Sequence, residues 1–292
     1  MRRLTGDRFV AELSKDTPAA YRVADGETVL VETPDCHGGH VDRDGTMRPD
    51  APGPNPSTGP IEVRGSQPGE ALAVTIHEVT PANWGFIGGG GEEAGFTVID
   101  IEDGVAIYPW GLRLPINPVV GAIGVAPPGE PVPMTTPSDW GGNLDTADVC
   151  AGATIYLPVG VPGAMLALGD VHALQGDSEC CGTGIECAAE VMLTARRVKD
   201  PLWPTVHLVR DDKLMVLAHG ETVDEAAWGA VDAMAKLLSK LTGLSDTEAR
   251  RLLSTAGDVR ISQIVNPRKT CRAIIPKEAI PEHWPFSSEL SV

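Results

Sequence analysis

Proline and glycine interrupt this chain so often that few stretches could form a long uninterrupted helix. There are 33 glycines and 25 prolines among 292 residues, about a fifth of the chain, against an ordinary share of roughly 12%. They follow no period, which excludes a collagen-like repeat. Short apolar runs between frequent turn residues are typical of many-stranded sandwiches and barrels. The sequence therefore predicts a mainly β protein.

Two runs alternate between apolar and polar residues as half-buried strands do: Thr28–Thr33 (TVLVET) and Leu72–Val79 (LAVTIHEV). Between them, Arg43–Gly59 is rich in Pro, Gly, Asn and Asp, which predicts a long surface loop. A later run, YLPVGV, contains Pro158. A proline cannot donate to a strand ladder, so this run predicts an edge or bulged strand.

Helix signals appear only late in the chain. Thr222 and Glu225 have the spacing of a capping box. Apolar residues then recur every three or four positions until Gly243, which suits a helix end. A second capping pattern begins at Ser245, and Gly257 could end that helix. The two segments predict a helical hairpin packed on the β-rich body.

The predicted fold is mainly β, of the α+β class: a sandwich or barrel with a C-terminal helical hairpin, of which the family resemblance described below implies the β-sandwich-like body. We divide it into a β-rich catalytic body, residues 1–215, and residues 216–292, where the hairpin and a C-terminal strand or tail pack on that body as one structural unit. Four consecutive glycines at 88–91 are not followed by the Gly-Lys-Ser/Thr of a phosphate loop. They predict a flexible turn or a lid beside a site, because glycine tolerates positive φ.

The charge balance limits the possible partners. Forty acidic and 23 basic residues give a net charge of −17, which disfavours nucleic acid and anionic membrane surfaces as partners because both carry the same sign. Residues 1–16 lack the apolar core of a signal peptide, and no apolar run approaches the ~18 residues of a membrane helix. The six cysteines include no Cys-x-x-Cys pair. We therefore expect a cytoplasmic protein with free thiols and a small-molecule substrate.

Candidate catalytic groups are concentrated in residues 139–147 (DWGGNLDTA) and 163–190, where acidic residues and one histidine are embedded in glycines and short apolar runs. Asp170 and His172 are two positions apart, so on a strand both project to the same face. Carboxylates with one imidazole can hold a catalytic divalent metal. The same groups can also perform acid–base catalysis without a metal. Residue spacing leaves both alternatives open.

These segments resemble the signature of the acetamidase/formamidase family. The strongest matches are GGNLD (141–145), YLPV (156–159) and GAMLALGDVHALQGDSECCGTGIE (163–186). Supporting matches follow in the expected order: ETPDC (32–36), NPSTGPIEV (55–63), PGEALAV (68–74) and AIGVAPP (122–128). The resemblance implies a homodimeric or homotetrameric hydrolase with a β-sandwich-like body. Its expected reaction converts formamide, acetamide or a similar small aliphatic amide to a carboxylic acid and ammonia.

Residue by residue, the family's polar motif positions correspond here to Asp35, Asn143, Asp145, Asp170, His172, Glu179 and Glu186. The division of roles among them is our inference. We expect a divalent metal, zinc first and calcium or another cation as alternatives, on Asp35, Asp145 and His172. We expect the catalytic groups to be Glu179 as proton shuttle, Asn143 as donor to the oxyanion and Glu186 as the next candidate for the shuttle.

The chain departs from the family pattern at several positions. His37 and His40 occupy a loop where relatives commonly carry other residues, and Ser178 replaces a usual glycine. These differences leave the substrate open. Cys181, close to Glu179, leaves a cysteine nucleophile possible. Two other functions also stay open: an amide-binding or regulatory relative without turnover, and a metal-dependent lyase or isomerase.

Overall fold

The computed structural model describes residues 1–88 and 95–286. The turn or lid predicted from the glycines at 88–91 therefore lies outside the described residues, except for Gly88. The described chain contains two α-helices and many short strands. This confirms the predicted mainly β fold with its helices near the C-terminus.

The strands, numbered in chain order, are short, as the frequent turn residues predict. They are β1 (Arg2–Leu4), β2 (Phe9–Val10), β3 (Glu12–Leu13), β4 (Tyr21–Val23), β5 (Thr28–Thr33), β6 (Ser57–Val63), β7 (Ala71–Pro81), β8 (Trp84–Ile87), β9 (Thr97–Glu102), β10 (Val105–Ile107), β11 (Arg113–Pro115), β12 (Val119–Gly124), β13 (Val132–Pro133), β14 (Gly141–Asn143), β15 (Thr154–Pro158), β16 (Leu166–His172), β17 (Glu186–Cys187), β18 (Ala189–Val198), β19 (His207–Arg210), β20 (Lys213–Gly220), β21 (Asp258–Gln263) and β22 (Lys269–Pro276).

Two large sheets are built from these strands. The nine-stranded sheet has the order β1-β5-β18-β7-β15-β19-β20-β22-β21. The eleven-stranded sheet follows the path β11-β10-β9-β8-β17-β16-β12-β14, and β6 joins it beside β16 together with β2 and β4. The small pair β13-β3 stands apart. The segment that carries the candidate catalytic residues thus lies within the eleven-stranded sheet, on β14, β16 and β17.

One apolar core is shared by the two sheets. Val31 and Val74 from the nine-stranded sheet, and Val120 and Leu168 from the eleven-stranded sheet, are fully buried in the same cluster. Each such aliphatic side chain contributes about 1.5–3 kcal/mol when it is removed from water. The packing of the two sheets on a common core confirms the sandwich-like body.

The helical hairpin is present where the capping patterns place it. Helix α1 spans Val223–Thr242 and α2 spans Asp246–Ala256. Gly243 ends α1 in the left-handed conformation, and Ser245 with Glu248 forms a complete capping box for α2. The hairpin packs on β20 and β22 through a second apolar cluster. Two 3₁₀ turns follow β22, at Lys277–Ala279 and Pro281–His283. Neither of the two α-helices in the described chain has both the length and the apolarity that crossing a membrane requires.

Two local predictions are wrong. Strand β15, which contains Pro158, lies between β7 and β19 in the sheet interior. Pro158 is tolerated there because the pairing with β19 ends at Tyr156, so no hydrogen bond is needed on that side. The end of the predicted surface loop is also buried, since Ser57 and Thr58 already belong to β6.

Candidate active site

A cavity of about 260 Å³ lies where β14, β16 and the β21–β22 connection meet. It collects most of the buried acidic residues of the chain. Its walls are formed by Cys36, His37, Pro54, Asn55, Thr135, Asn143, Asp145, Asp170, His172, Glu179, Gly182, Thr183, Glu186, Val265, Asn266 and Pro267. A larger cavity of about 850 Å³ is lined by residues such as Thr80, Pro81 and Ala188. The smaller one is the better candidate because titratable groups with perturbed pKa values converge there.

His172, the last residue of β16, is at the centre of this cavity and is 1% exposed. The register between β16 and β17 places it directly opposite Glu186, and its Nε2 is 3.1 Å from Glu186 Oε1. Asp170 Oδ1 lies 3.8 Å from the same nitrogen. Burial lowers the pKa of His172, but the carboxylates of Glu186 and Asp170 raise it more, so the pKa is held well above its usual value.

Gln175 orients the imidazole of His172. Gln175 Nε2 donates to the carbonyl oxygen of Asp145 at 2.7 Å, which leaves Gln175 Oε1 to accept from His172 Nδ1 at 3.0 Å. The opposite amide orientation would place two oxygens against each other. Nδ1 therefore carries a proton, and Nε2 faces the carboxylates. Second-layer hydrogen bonds of this kind commonly orient a metal-binding histidine.

Asp145 is held by a residue from the distant C-terminal segment. Asn266 Nδ2 donates to Asp145 Oδ2 at 2.5 Å and to the carbonyl oxygen of Asn143 at 3.2 Å. The other carboxylate oxygen of Asp145 is buried without a hydrogen-bond partner among the described residues. Burial and the nearby Asp170 raise the pKa of Asp145 to about 7.

Asn55 connects Asp170 with Asn143. Its Nδ2 donates to Asp170 Oδ2 at 2.7 Å and to Asn143 Oδ1 at 3.0 Å. Because the oxygen of the Asn143 amide is turned toward Asn55, its nitrogen is the group left to donate elsewhere. Asn55, Asp145, Asp170 and Glu179 all have positive φ. Such conformations cost free energy and cluster at functional sites, where the surrounding structure holds them.

Glu179 and Glu186 complete the acidic lining. Burial and the nearby Asp145 raise the pKa of Glu179 to about 10. Burial also raises the pKa of Glu186, and its Oε2 has no hydrogen-bond partner within the described part of the chain. His172 Nδ1 lies 3.8 Å from Glu179 Oε1. Burial therefore shifts both carboxyl groups toward their protonated forms, and a positive charge placed between them would oppose that shift.

The donor atoms fit a divalent cation. Three sets of residues each have ligand atoms that lie within 4.8 Å of one another. These sets are Asp145, Asp170 and His172; His172, Glu179 and Glu186; and Cys36, Asp170 and Glu186. Carboxylate oxygens with one imidazole suit zinc, manganese and similar ions. The partnerless buried oxygens of Asp145 and Glu186 point the same way, because an unpaired buried polar atom is costly.

Asp35 is close to this cluster but is used differently. Its Oδ1 accepts hydrogen bonds from the backbone amides of His37 and Gly39, at 2.9 and 3.0 Å. It lines a separate cavity of about 30 Å³, shared with Glu186. The contacts thus show Asp35 shaping the loop after β5, and its assignment as a metal ligand stays a prediction.

The remaining predicted side chains are divided between the cavity and its surroundings. His37 lines the cavity and stacks on Phe86, with ring centroids 5.9 Å apart, whereas His40 is not a lining residue. Cys181 is exposed and its Sγ faces the carbonyl oxygen of Thr183 at 3.6 Å. The thiol that does line the cavity is Cys36, whose pKa burial raises well above its usual value. A raised pKa makes that thiol a poor nucleophile.

Sequence reasoning missed three residues that organise the site: Asn55, Gln175 and Asn266. Asn55 and Gln175 lie inside the family motifs at 55–63 and 163–186, but a motif does not indicate which atoms such an amide side chain contacts. Asn266 follows the helical hairpin, and nothing in its local sequence, IVNPR, indicates a contact with Asp145.

A family profile and two solved structures all relate this chain to acetamidases and formamidases. The profile of the acetamidase/formamidase family matches residues 8–108 and 129–205. An acetamidase structure from Bacillus halodurans is 37% identical, with a TM-score of 0.91 over 97% of this chain and 99% of that one. A structure of a predicted acetamidase/formamidase from Thermoanaerobacter tengcongensis is 35% identical, with a TM-score of 0.93 over 98% and 99%.

The matches to curated relatives cover only part of each protein. A formamidase from Methylophilus methylotrophus is 30% identical over 165 residues, which is 49% of this chain and 40% of that protein. A Schizosaccharomyces pombe relative is 28% identical over 261 residues, and the chain spans 63% of its length. Since the profile covers more than half of the sequence and two solved structures match nearly all of it, the chain belongs to the acetamidase/formamidase family.

Proposed function

We propose that this protein hydrolyses a small uncharged aliphatic amide, of the formamide or acetamide type, to a carboxylic acid and ammonia with the help of a divalent metal. The observation that carries the proposal is the convergence of four buried carboxyl groups and one oriented imidazole on a cavity of about 260 Å³. Family membership supports the reaction class.

We assign the metal to Asp145, Asp170 and His172, with Nε2 as the imidazole ligand, because these three offer clustered ligand atoms, and Asp35 stays a further predicted ligand. Zinc is the first candidate, given the imidazole and carboxylate donors. When bound, such an ion polarises a carbonyl group and lowers the pKa of water. Gln175 and Asn266 keep the imidazole and Asp145 in place through their hydrogen bonds.

Glu179 is the proposed proton shuttle. It would accept a proton from the attacking water and deliver it to the departing nitrogen. A cation bound beside Glu179 would favour the ionised carboxylate that accepts the proton, and the burial that raises the pKa of Glu179 would let it hold that proton until delivery. Loss of a general acid–base group typically costs roughly 10²–10⁴-fold in rate. Glu186, buried beside His172, is the alternative shuttle.

Asn143 is proposed to stabilise the developing oxyanion. Its side-chain oxygen is occupied by Asn55, so its NH₂ group is the part free to donate. A preorganised donor of this kind contributes roughly 10²–10³-fold when the charge develops beside it. The hydrogen bonds on both sides of Asn143 fix its orientation before the substrate binds.

The charge of the cavity favours an uncharged substrate. Among the described residues, none of the lining side chains is a lysine or an arginine. Carboxylate-bearing amides would therefore meet like charge without a compensating cation beyond the metal. The expected substrates are short neutral amides, and amides that carry a second carboxylate should be poor substrates.

Ammonia release tests the reaction. The zinc-loaded protein would be assayed with formamide, acetamide, propionamide and the anionic amide succinamate. His172→Ala would be compared with His77→Ala, which changes a histidine bonded to Thr194 outside the cavity. We expect release from at least one neutral amide, little from succinamate, and loss of both activity and bound metal only in His172→Ala.

Folded, metal-loaded protein that releases no ammonia from any neutral amide would contradict the proposal. Amide binding without turnover would then favour the amide-binding relative, and conversion without ammonia would favour a lyase or isomerase. We further propose that the enzyme is cytoplasmic and works as a homodimer or homotetramer. Its six free cysteines suit a reducing compartment.

A further inference from the structure

Arg272, on β22, is a fully buried cation that none of the proposed catalytic steps uses. It is 1% exposed. Its Nε donates to Asp148 Oδ2 at 2.8 Å and its Nη1 to Ser262 Oγ at 3.1 Å. Its Nη2 donates to both carboxylate oxygens of Asp177, at 2.8 and 3.0 Å. One guanidinium thus connects β21 and β22 with two loops of the β-rich body.

Asp177 lies in the tight turn that presents Glu179 to the cavity. Ser178 and Glu179 both have positive φ, at 82° and 46°. Ser178 is fixed to the β21 edge, because its amide donates to the carbonyl oxygen of Ser262 at 2.9 Å and its carbonyl oxygen accepts from the amide of Ile264 at 3.0 Å. The strained turn is therefore held both through the side chain of Asp177 and through the backbone of Ser178.

We propose that Asp177, clamped by Arg272, is a positioning residue that holds Glu179 in the orientation needed for proton transfer. This inference rests on the proposed role of Glu179. The link is short, since only Ser178 separates the clamped carboxylate from the catalytic one. A left-handed backbone relaxes readily when its restraints are removed, and a displacement of about 1 Å at a reacting group can cost roughly 10²-fold in rate.

Asp148 provides a matched control on the same guanidinium. It accepts from Arg272 at 2.8 Å, as Asp177 does, but it lies before β15, far in sequence from Glu179. Asp148→Asn and Asp177→Asn each neutralise one carboxylate of the same arginine. A general effect of weakening the ion pairs of Arg272 should appear in both variants. An effect on Glu179 should appear only in Asp177→Asn.

The experiment measures kcat and KM for Asp177→Asn and Asp148→Asn, each in the wild-type and the Glu179→Gln backgrounds, with bound metal determined in every sample. We expect Asp177→Asn to lower kcat by roughly 10–100-fold, with KM and metal content nearly unchanged. Asp148→Asn should retain wild-type kcat within about threefold. In the Glu179→Gln background, Asp177→Asn should have no further effect, because the group it positions can no longer transfer a proton.

Equal losses in the two single variants, or an undiminished loss from Asp177→Asn in the Glu179→Gln background, would overturn the inference. If Glu179→Gln alone keeps wild-type kcat, the proposed role of Glu179 fails, and that result is separate from the comparison of the two aspartates. Should Asp177→Asn fold poorly, Asp177→Glu keeps the charge and lengthens the link by one methylene. It should fold normally and still lose kcat, and wild-type kcat in that variant would equally refute the positioning role.

Discussion

Glu179→Gln should make the metal-free protein less sensitive to rising pH. Burial and the neighbouring Asp145 raise the pKa of Glu179 to about 10, whereas a glutamate in an unfolded chain titrates near 4.3. Between these values the folded protein binds one proton more than the unfolded chain. The stabilisation that this proton gives is therefore complete at low pH. It is lost as pH rises, by about 1.36 kcal/mol of unfolding free energy per pH unit.

The interval from about pH 7 to about pH 8.5 suits a comparison of wild type and variant, because the protons of Asp145 and His172 are present in both proteins and are subtracted in the difference. Burial lowers the pKa of His37, His207 and His219, and such histidines contribute the opposite slope only below roughly pH 6.5. Buried thiols such as Cys36 and Cys187 have raised pKa values and begin to matter near pH 8.5. Over this interval one proton at Glu179 corresponds to about 2 kcal/mol as an upper bound.

Urea unfolding of the metal-free protein at both pH values measures the free energy of unfolding. The wild type should lose about 2 kcal/mol more than Glu179→Gln between the two pH values. Glu282→Gln, which changes an exposed glutamate, should behave like the wild type. Zinc should reduce the difference because a cation favours ionised carboxylates. If the two proteins lose stability in parallel, Glu179 is already ionised at neutral pH and the argument from burial is wrong.

Three further substitutions test the site's construction. Gly184→Ala places a methyl group within 3 Å of the buried His172 imidazole and should abolish metal binding. The methyl group of Gly176→Ala meets open space, so this control should bind metal normally. Metal titration of the two variants checks the difference. Asn266→Ala removes the hydrogen bond to Asp145 and should weaken metal affinity by about 10–100-fold in a competition assay, and unchanged affinity would refute this support. Cys181→Ala should retain turnover, and a folded, metal-loaded but inactive variant would favour the cysteine nucleophile.

Features encoded by neighbouring residues were predictable from the sequence. Thr28–Thr33 forms a strand because its alternation matches the pleat, and both helices begin at their predicted caps. Pro158 shows the limit of such reasoning. Whether a proline is tolerated in a sheet depends on where the neighbouring strand ends, and that is decided by residues about fifty positions away.

In the candidate site, too, some residues could be predicted from the sequence and others could not. Asp145, Asp170, His172 and Glu179 lie in one motif-rich region, and the structure brings them together on a single cavity. The residues that orient them are harder to predict because the contacts span the chain. Asn266 is 121 positions from Asp145. Neither periodicity nor residue spacing predicts a hydrogen bond between two segments that meet only after the sheets have formed.

These long-range contacts give the C-terminal segment a role beyond covering the sheet. Helices α1 and α2 pack on β20 and β22, and β22 in turn carries Arg272, while the β21–β22 connection supplies Asn266. Residues 1–215 contain every acidic and imidazole group of the proposed centre, but not the amide that holds Asp145 or the cation that holds Asp177. The proposed chemistry therefore depends on both parts of the chain folding together, because the acids come from one part and two of their restraints from the other.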